Sequence, residues 1–183
     1  NKLMMKNKVV FITGATSGIG EGCARRFAVA GAHLILNGRN EAKLHSLKQE
    51  LETAHGIEVC LLPFDVRDRQ AAAQAVGQLK GRWAEPDILI NNAGLVIGVD
   101  KEFEGSLDEW DVVIDTNIKG LLNVTRFVVP GMVQRNSGHI IHIGSVAGDA
   151  AYAGGNVYCA TKSAVKAITA GLRIDVAHTR IRV

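Results

Sequence analysis

The sequence has 183 residues, of which 47% are hydrophobic and 21% charged, and its formal net charge is +3. This length and composition fit one globular domain with a hydrophobic core. The small, dispersed charge argues against a nucleic-acid partner, and no apolar run approaches the ~18 residues of a membrane span. The three cysteines lack a metal-binding spacing, so we expect free thiols in a reducing, cytoplasmic setting.

The predicted domain covers residues 8–183. We expect residues 1–7 to be a leader before it, with a natural start at Met4 or Met5, because this stretch lacks the apolar core of a signal peptide. Residues 181–183 look like the opening of a further strand. We therefore expect the natural chain to continue with the C-terminal strand and a substrate loop.

Strands and helices are predicted to alternate along the chain. Short apolar runs predict strands at residues 8–13, 33–37, 57–62, 87–90 and 138–144. Helical patterns follow them, ending near residue 30, then covering residues 41–55, 68–80, 106–134 and 156–174. Ser106 is expected to cap the long helix, with possible kinks at Gly120 and Pro130. Continuous apolar strands between helices predict an α/β fold, a Rossmann-like, doubly wound parallel sheet with helices on both faces.

A glycine-rich turn follows the first strand and opens the first helix. Its spacing is G-x-x-x-G-x-G, in which Gly14 allows a tight turn, Gly18 lets backbone N–H groups approach a phosphate, and Gly20 permits close helix packing. The alternative is an ordinary glycine-rich turn, but the strand–turn–helix context favours nucleotide binding. Cofactor contacts are therefore expected from Gly14, Thr16, Ser17, Gly18, Ile19 and Gly20.

The end of the second strand indicates which dinucleotide is bound. An acidic residue here would bind the ribose 2′-hydroxyl, whereas an arginine accommodates a 2′-phosphate. The sequence has Arg39 and Asn40 and no acid, and a guanidinium can form a charge-assisted fork with phosphate. NADP is therefore favoured over NAD, unless Arg39 is only a solvated residue at a helix start.

Two further strand ends carry polar residues to the same edge of the predicted sheet, where ligands bind in this architecture. The fourth strand ends in Asn91 and then Asn92, Ala93 and Gly94, which form either a cofactor contact or a simple polar turn. The third strand ends in Asp65 and Val66. Asp65 could contact adenine or only help to start the next helix.

Tyr158 and Lys162 are four residues apart in a predicted helix, so they share one face. A phenol has a pKa near ~10 and is a poor base at neutral pH. A cation about 4 Å away is worth ~1 kcal/mol in water but ~4 kcal/mol at an effective dielectric of ~20. The pair can therefore transfer protons only in a partly desolvated site; the alternative is an exposed pair on a helix surface.

Other polar residues are ambiguous when taken singly. Ser145 ends the fifth strand beside the Tyr158 helix, and Asn117 lies in a helix interior, where an amide is neutral to unfavourable. The six histidines form no metal-binding set, so we expect no metal. His142 is expected to be a hydrogen-bonded core or edge residue.

These motifs, taken in order and spacing, resemble the short-chain dehydrogenase/reductase family over residues 8–183. The resemblance implies an oxidoreductase with Tyr158 as general acid/base and Ser145 as hydrogen-bond partner of the reacting oxygen, both in contact with a small-molecule substrate. It implies that Lys162 binds the nicotinamide ribose and stabilises the phenolate. Asn117 would hold a water that links Lys162 to solvent.

Within that family, residues 37–39, 132–136 and 152–158 resemble the NADP-dependent 3-hydroxy acid (serine) dehydrogenases. It implies a small 3-hydroxy acid such as serine or 3-hydroxyisobutyrate, or malonic semialdehyde, as substrate, and a homotetramer built on helices around 106–134 and 156–178. Asn40 departs from that group, in which a second arginine is common. The alternatives are a reductase for another ketone or alcohol, a silent NADP sensor, a methyltransferase and a sugar-nucleotide epimerase.

Overall fold

The computed structural model describes residues 4–183, which form one parallel sheet with helices on both faces. The strands are β1 Val9–Ile12, β2 His33–Gly38, β3 Val59–Pro63, β4 Ile88–Asn91 and β5 His139–His142, in the order β3-β2-β1-β4-β5. The helices are α1 Gly18–Val29, α2 Glu41–His55, α3 Arg69–Gly77, α4 Leu107–Ile114, α5 Leu121–Gln134 and α6 Asn156–Asp175. The predicted doubly wound α/β fold is confirmed.

Two hydrophobic cores sandwich the sheet, which is why its strands are apolar on both faces. On one face Phe11 and Leu89 pack with Met132 of α5. On the other face Ile12 packs with Leu44 of α2 and with the small side chains of α1. Because alternate residues of one strand enter opposite cores, the central strands are held from both sides and their carboxyl ends are fixed at one edge.

The long helix predicted over residues 106–134 is helical from Leu107 to Gln134, but it is not α-helical throughout. Ser106 caps α4 as predicted, since its Oγ accepts the Glu109 N–H at 3.4 Å. A π-helical segment, Asp115–Gly120, then separates α4 from α5, and α5 runs through Pro130. The irregular segment ends at Gly120, one of the two positions named for a possible kink, whereas Pro130 lies inside α5. Hydrophobic periodicity cannot signal such a change of winding.

Several other boundaries differ at their ends. β3 begins at Val59 rather than at residue 57, β5 is shorter than predicted, and α3 ends at Gly77, before a short 3₁₀ turn at Gly81–Ala84. The predicted sixth strand is represented, within residues 4–183, by a single parallel bridge between His139 and Arg182. Residue composition defines element ends poorly because capping and fraying decide them.

The predicted leader, residues 1–7, lies partly outside the described residues. Residues 4–7 form a turn before β1, where Met5 packs against the α1 and α2 side of the core. The Met5 N–H donates to the Ala30 carbonyl at 3.1 Å. Among residues 4–183, no helix has the length and apolar character needed to cross a membrane.

Close packing of α1 on the glycine turn gives a test of the fold. A Cβ added at Gly20 would lie 2.2 Å from the Gly14 carbonyl oxygen, whereas one at Gly22 of the same helix meets nothing within 4 Å. We expect G20A to destabilise the protein by about 1–3 kcal/mol through overpacking. The matched variant G22A should be neutral or stabilising by about 0.5–1 kcal/mol, measured by denaturant unfolding. Equal unfolding midpoints would contradict this packing.

Candidate active site

One continuous cleft of about 620 Å³ borders the carboxyl ends of the strands. The glycine turn after β1 forms one part of its wall. Gly14 has φ +61° and Gly18 has φ +52°, a left-handed conformation that glycine adopts without strain. Ser17 is the N-cap of α1 but its side chain makes no capping hydrogen bond. The first N–H groups of α1 are therefore not capped by that hydroxyl, beside a cleft lined by Gly14, Thr16, Ser17, Gly18 and Ile19.

The sequence Asn92-Ala93-Gly94 also lines the cleft and is clamped to the glycine turn. Thr13 Oγ1 accepts the N–H groups of Asn92 and Ala93 at 3.0 and 2.9 Å. Asn92 Nδ2 donates to the carbonyl oxygens of Thr13 and Gly14 at 3.1 and 3.0 Å. Asn91, in contrast, is buried and donates to Thr125 Oγ1. The structure thus joins two motifs that lie far apart in sequence.

The far end of the cleft is lined by Arg39, Asp65 and Val66. Arg39 is exposed, and within residues 4–183 no acidic side chain forms a salt bridge with it. The Arg67 guanidinium bonds the Asp65 carboxylate at 2.7 Å, and this hydrogen bonding holds the pKa of Asp65 below its ordinary value. This end of the cleft therefore combines an unpaired cation with an ionised carboxylate that already has a partner.

Two residues expected to contact the cofactor do not line the cleft. Asn40 does not line the cleft; its side chain caps α2 by accepting the Lys43 N–H at 3.0 Å. Gly20 does not line it either, but it permits the close packing of α1 that the glycine spacing predicts. Asp68, rather than Asp65, caps α3. The spacing of a motif does not reveal which of its side chains turn towards the helix and which towards the cleft.

Tyr158 and Lys162 line the same cleft from α6, as their spacing predicts. Lys162 Nζ lies 5.9 Å from the Tyr158 ring centre and donates to the Ile143 carbonyl at 3.1 Å. Lys162 is only 8% exposed, and burial lowers its pKa. Ser145 also lines the cleft, and its Oγ accepts the Ala147 N–H at 3.1 Å. The cation is thus in the partly desolvated setting that proton transfer by a phenol requires.

Asn117 lies behind this end of the cleft, in the π-helical segment, and is buried. Its Oδ1 accepts the Leu95 N–H at 2.9 Å, and its Nδ2 donates to the Leu95 carbonyl at 2.9 Å and to Thr161 Oγ1 at 3.1 Å. Sequence reasoning missed Thr161. The available signal was a hydroxyl next to Lys162 in a helix that turns a polar face inward.

The histidines stay outside this site. His142 is half-buried; its Nδ1 lies 2.9 Å from Thr169 Oγ1, while its buried Nε2 has no hydrogen-bond partner. His142 is thus a hydrogen-bonded strand residue, as expected, but through Nδ1 only. Burial lowers the pKa of His142 to about 4, so the ring is neutral near pH 7. Across residues 4–183, no group of three or more His, Cys, Asp or Glu side chains could hold a metal ion.

Comparison with known proteins identifies the architecture that carries this cleft. A model of the short chain dehydrogenase family matches residues 8–183. The chain belongs to the short-chain dehydrogenase family. The resemblance stated from its motifs is thereby confirmed, and the sheet order and the cleft at the strand ends are those of a short-chain dehydrogenase.

Individual short-chain dehydrogenases are similar over nearly the whole chain. An NADP-dependent 3-hydroxy acid dehydrogenase of Salmonella typhi is 47% identical over 175 residues, which cover 96% of this chain and 69% of that protein. The crystal structure of serine dehydrogenase from Escherichia coli is 46% identical, with a TM-score of 0.90, over 94% of this chain and 78% of that one. A closed form of serine dehydrogenase in complex with NADP⁺ has a TM-score of 0.91 at 46% identity, over 96% and 69% of the two chains.

Burial of Lys162 predicts a specific pH dependence of stability. Its lowered pKa means that the folded state binds this proton less tightly than the unfolded state. The resulting destabilisation is complete below the folded-state pKa and is lost as pH rises towards the ordinary lysine value of about 10.4. We therefore expect the stability of K162M relative to wild type to be greatest near neutral pH and to decline towards that value.

The measurement is denaturant unfolding of wild type and K162M at several pH values. K166M is the matched control, because Lys166 lies one turn further along α6, is exposed and pairs with Asp149. A K162M difference that does not change with pH, or that changes equally in K166M, would contradict burial of the Lys162 charge.

Proposed function

We propose that this protein is an NADP-dependent oxidoreductase that moves a hydride between NADP and a hydroxyl-bearing or carbonyl carbon of a small molecule. The observation that carries the proposal is the shared cleft. Tyr158 and the buried Lys162 stand at one end of it, and the glycine turn and Arg39 line the rest. Residues 8–183, the range matched by the family model, would be the NADP-binding catalytic domain.

The cleft residues fit a dinucleotide with a 2′-phosphate. The uncapped start of α1 and the positive-φ glycines leave backbone N–H groups for a pyrophosphate, where the helix dipole favours negative charge. Arg39 would hold the 2′-phosphate, Asp65 and Val66 would border the adenine, and Asn92 to Gly94 would border the nicotinamide half. When bound, NADP would supply the hydride chemistry. The NADP⁺ complex of the similar serine dehydrogenase supports this assignment.

The proton chemistry would belong to the α6 pair. In the oxidative direction Tyr158, as phenolate, would take the proton from the substrate hydroxyl, and in the reductive direction it would return it. The Lys162 ammonium lies 5.9 Å from the Tyr158 ring centre, and charges at such a range interact more strongly where water is partly excluded. Ser145 would donate a hydrogen bond to the reacting oxygen as its charge develops. Asn117 would hold a water that exchanges protons between Lys162 and solvent.

The proposed substrate is a small 3-hydroxy acid such as serine or 3-hydroxyisobutyrate or, in the reductive direction, malonic semialdehyde. The names of the similar proteins support this class. We also propose a cytoplasmic homotetramer. Three free cysteines are consistent with a reducing compartment, and exposed apolar side chains on α5 and α6, Leu122, Val133 and Ile174, offer surface for subunit contacts.

Tyr158 is the sharpest test of this function. We expect Y158F to lose about 99% or more of turnover, since general acid–base groups contribute 10²–10⁴-fold, and to bind NADP within about threefold of wild type. The assay follows reduced-nicotinamide absorbance with serine, 3-hydroxyisobutyrate, 3-hydroxybutyrate and simple alcohols. Y152F is the matched control, because Tyr152 is the other tyrosine of the chain and does not line the cleft.

The Y158F variant and the substrate panel test the catalytic role of Tyr158 and the substrate class separately. Retention by Y158F of more than about a tenth of wild-type activity would remove its acid/base role. Turnover of simple alcohols but not of hydroxy acids would leave the oxidoreductase assignment and replace the substrate class.

Arg39 tests the choice of cofactor. Removing the guanidinium removes a charge-assisted contact to the 2′-phosphate, a group that NAD lacks. We expect R39A to weaken NADP binding by about tenfold or more and NAD binding by less than about twofold, measured by titration of both cofactors. R26A removes an exposed arginine of α1 as a control. Equal losses for NADP and NAD would remove the 2′-phosphate assignment.

A further inference from the structure

Thr161 occupies a buried position between Tyr158 and Lys162 on α6, with 1% of its surface exposed. Its Oγ1 donates to the Tyr158 carbonyl at 2.7 Å and accepts from Asn117 Nδ2 at 3.1 Å. A hydroxyl has one proton and can accept as well, so both bonds form at once. Thr161 therefore joins the backbone of the acid/base residue to a side chain of another element.

The same Asn117 amide also holds the loop after β4. Its oxygen accepts the Leu95 N–H and its nitrogen donates to the Leu95 carbonyl, both at 2.9 Å. Both amide protons of Asn117 are thereby used, one of them on Thr161. Within residues 4–183, Thr161 is the hydrogen-bonding link from this amide to α6. One buried chain of bonds thus connects the β4 loop, the π-helical segment and the catalytic helix.

The Asn117–Thr161 hydrogen bond lies near Lys162, the residue proposed to act with Tyr158. A Cβ added to Gly94 would lie 3.2 Å from Asn117 Oδ1 and 3.6 Å from Lys162 Nζ, so the amide and the ammonium border the same glycine. Loss of the Thr161 hydroxyl would leave a buried amide proton without its acceptor. Such a group moves to find a partner or costs about 1–3 kcal/mol. Movement of the amide would displace a group that borders the same glycine as Lys162.

Local helix bonding alone does not account for this arrangement. Thr169, on the same helix, also bonds back to a carbonyl, that of Val165 at 2.6 Å, and its hydroxyl lies beside His142, away from the main cleft. Thr161 differs in its second partner, which is the Asn117 amide rather than the His142 imidazole. Thr169 therefore provides a control with the same residue type on the same helix, whose hydroxyl also bonds a helix carbonyl and a side chain of another element.

We propose that Thr161 is a positioning residue that, through Asn117, keeps Lys162 and its path of proton exchange in register with Tyr158. The proposal rests on the proposed oxidoreductase function and adds a residue to it. Thr161 does not line the cleft, so its effect passes through Asn117 and α6. Loss of the Thr161 hydroxyl should lower the turnover rate and slow proton exchange, and it should change the affinity for the cofactor less.

The experiment compares T161V, T161A, T161S and T169V with wild type. T161V and T161A both remove the hydroxyl, with and without a branched side chain, so that one folded variant without hydroxyl is available; T161S retains it. We expect T161V or T161A to lower kcat about tenfold or more, with KM for NADP within about threefold, because misplacement of about 1 Å can cost 10²-fold. The solvent isotope effect on kcat should rise, and T161S and T169V should resemble wild type.

A second measurement does not depend on turnover. Amide hydrogen exchange of Leu95, whose N–H bonds Asn117, should accelerate in T161V or T161A but not in T161S or T169V. Loss of activity in Y158F shows separately whether the proposed function holds. Wild-type kcat and Leu95 protection in a variant without hydroxyl, or equal losses in T161S, would overturn the role of Thr161 and leave that of Tyr158 intact.

Discussion

The site depends on an ammonium group kept largely out of water beside a tyrosine. Lys162 is held there by α6 and by the carbonyl of Ile143, the residue that follows β5. Coulombic attraction between such groups is several-fold stronger at an intermediate dielectric than in water. The same burial disfavours the charge in the folded protein, so a feature that supports proton transfer works against stability.

The parallel sheet brings the Tyr158 and Lys162 pair next to the other residues that line the cleft. Because all five strands are parallel, their carboxyl ends meet at one edge, and the loops that follow them line one cleft. Hydrogen bonds from buried polar residues then fix those loops. Thr13 clamps Asn92 and Ala93, and Asn37 Nδ2 donates to the carbonyls of Leu62 and Phe64, both at 3.0 Å. Rigid loops of this kind are what an enzyme needs to hold a cofactor and an acid/base group in fixed register.

The π-helical segment gives Asn117 a position that a regular helix would not. Asparagine has a low preference for helix interiors, but here the Asn117 side chain makes hydrogen bonds to both the loop after β4 and α6. Irregular helical turns of this type occur often at functional sites. The buried hydroxyl of Thr161 accepts the Asn117 amide, so hydrogen bonds connect α6 to the loop after β4 through Asn117.

The sequence by itself determined the alternation of strands and helices, the glycine turn and the common face of Tyr158 and Lys162. These features follow from local periodicity and from residue types with strong backbone preferences. Tertiary structure alone decided that Asn40 caps a helix instead of facing the cleft, that Asn117 lies in a π turn, and that Thr161 bridges it to α6. Those outcomes depend on contacts between residues distant in the chain, such as Leu95, Asn117 and Thr161, and side-chain direction is fixed only when the elements that carry them pack together.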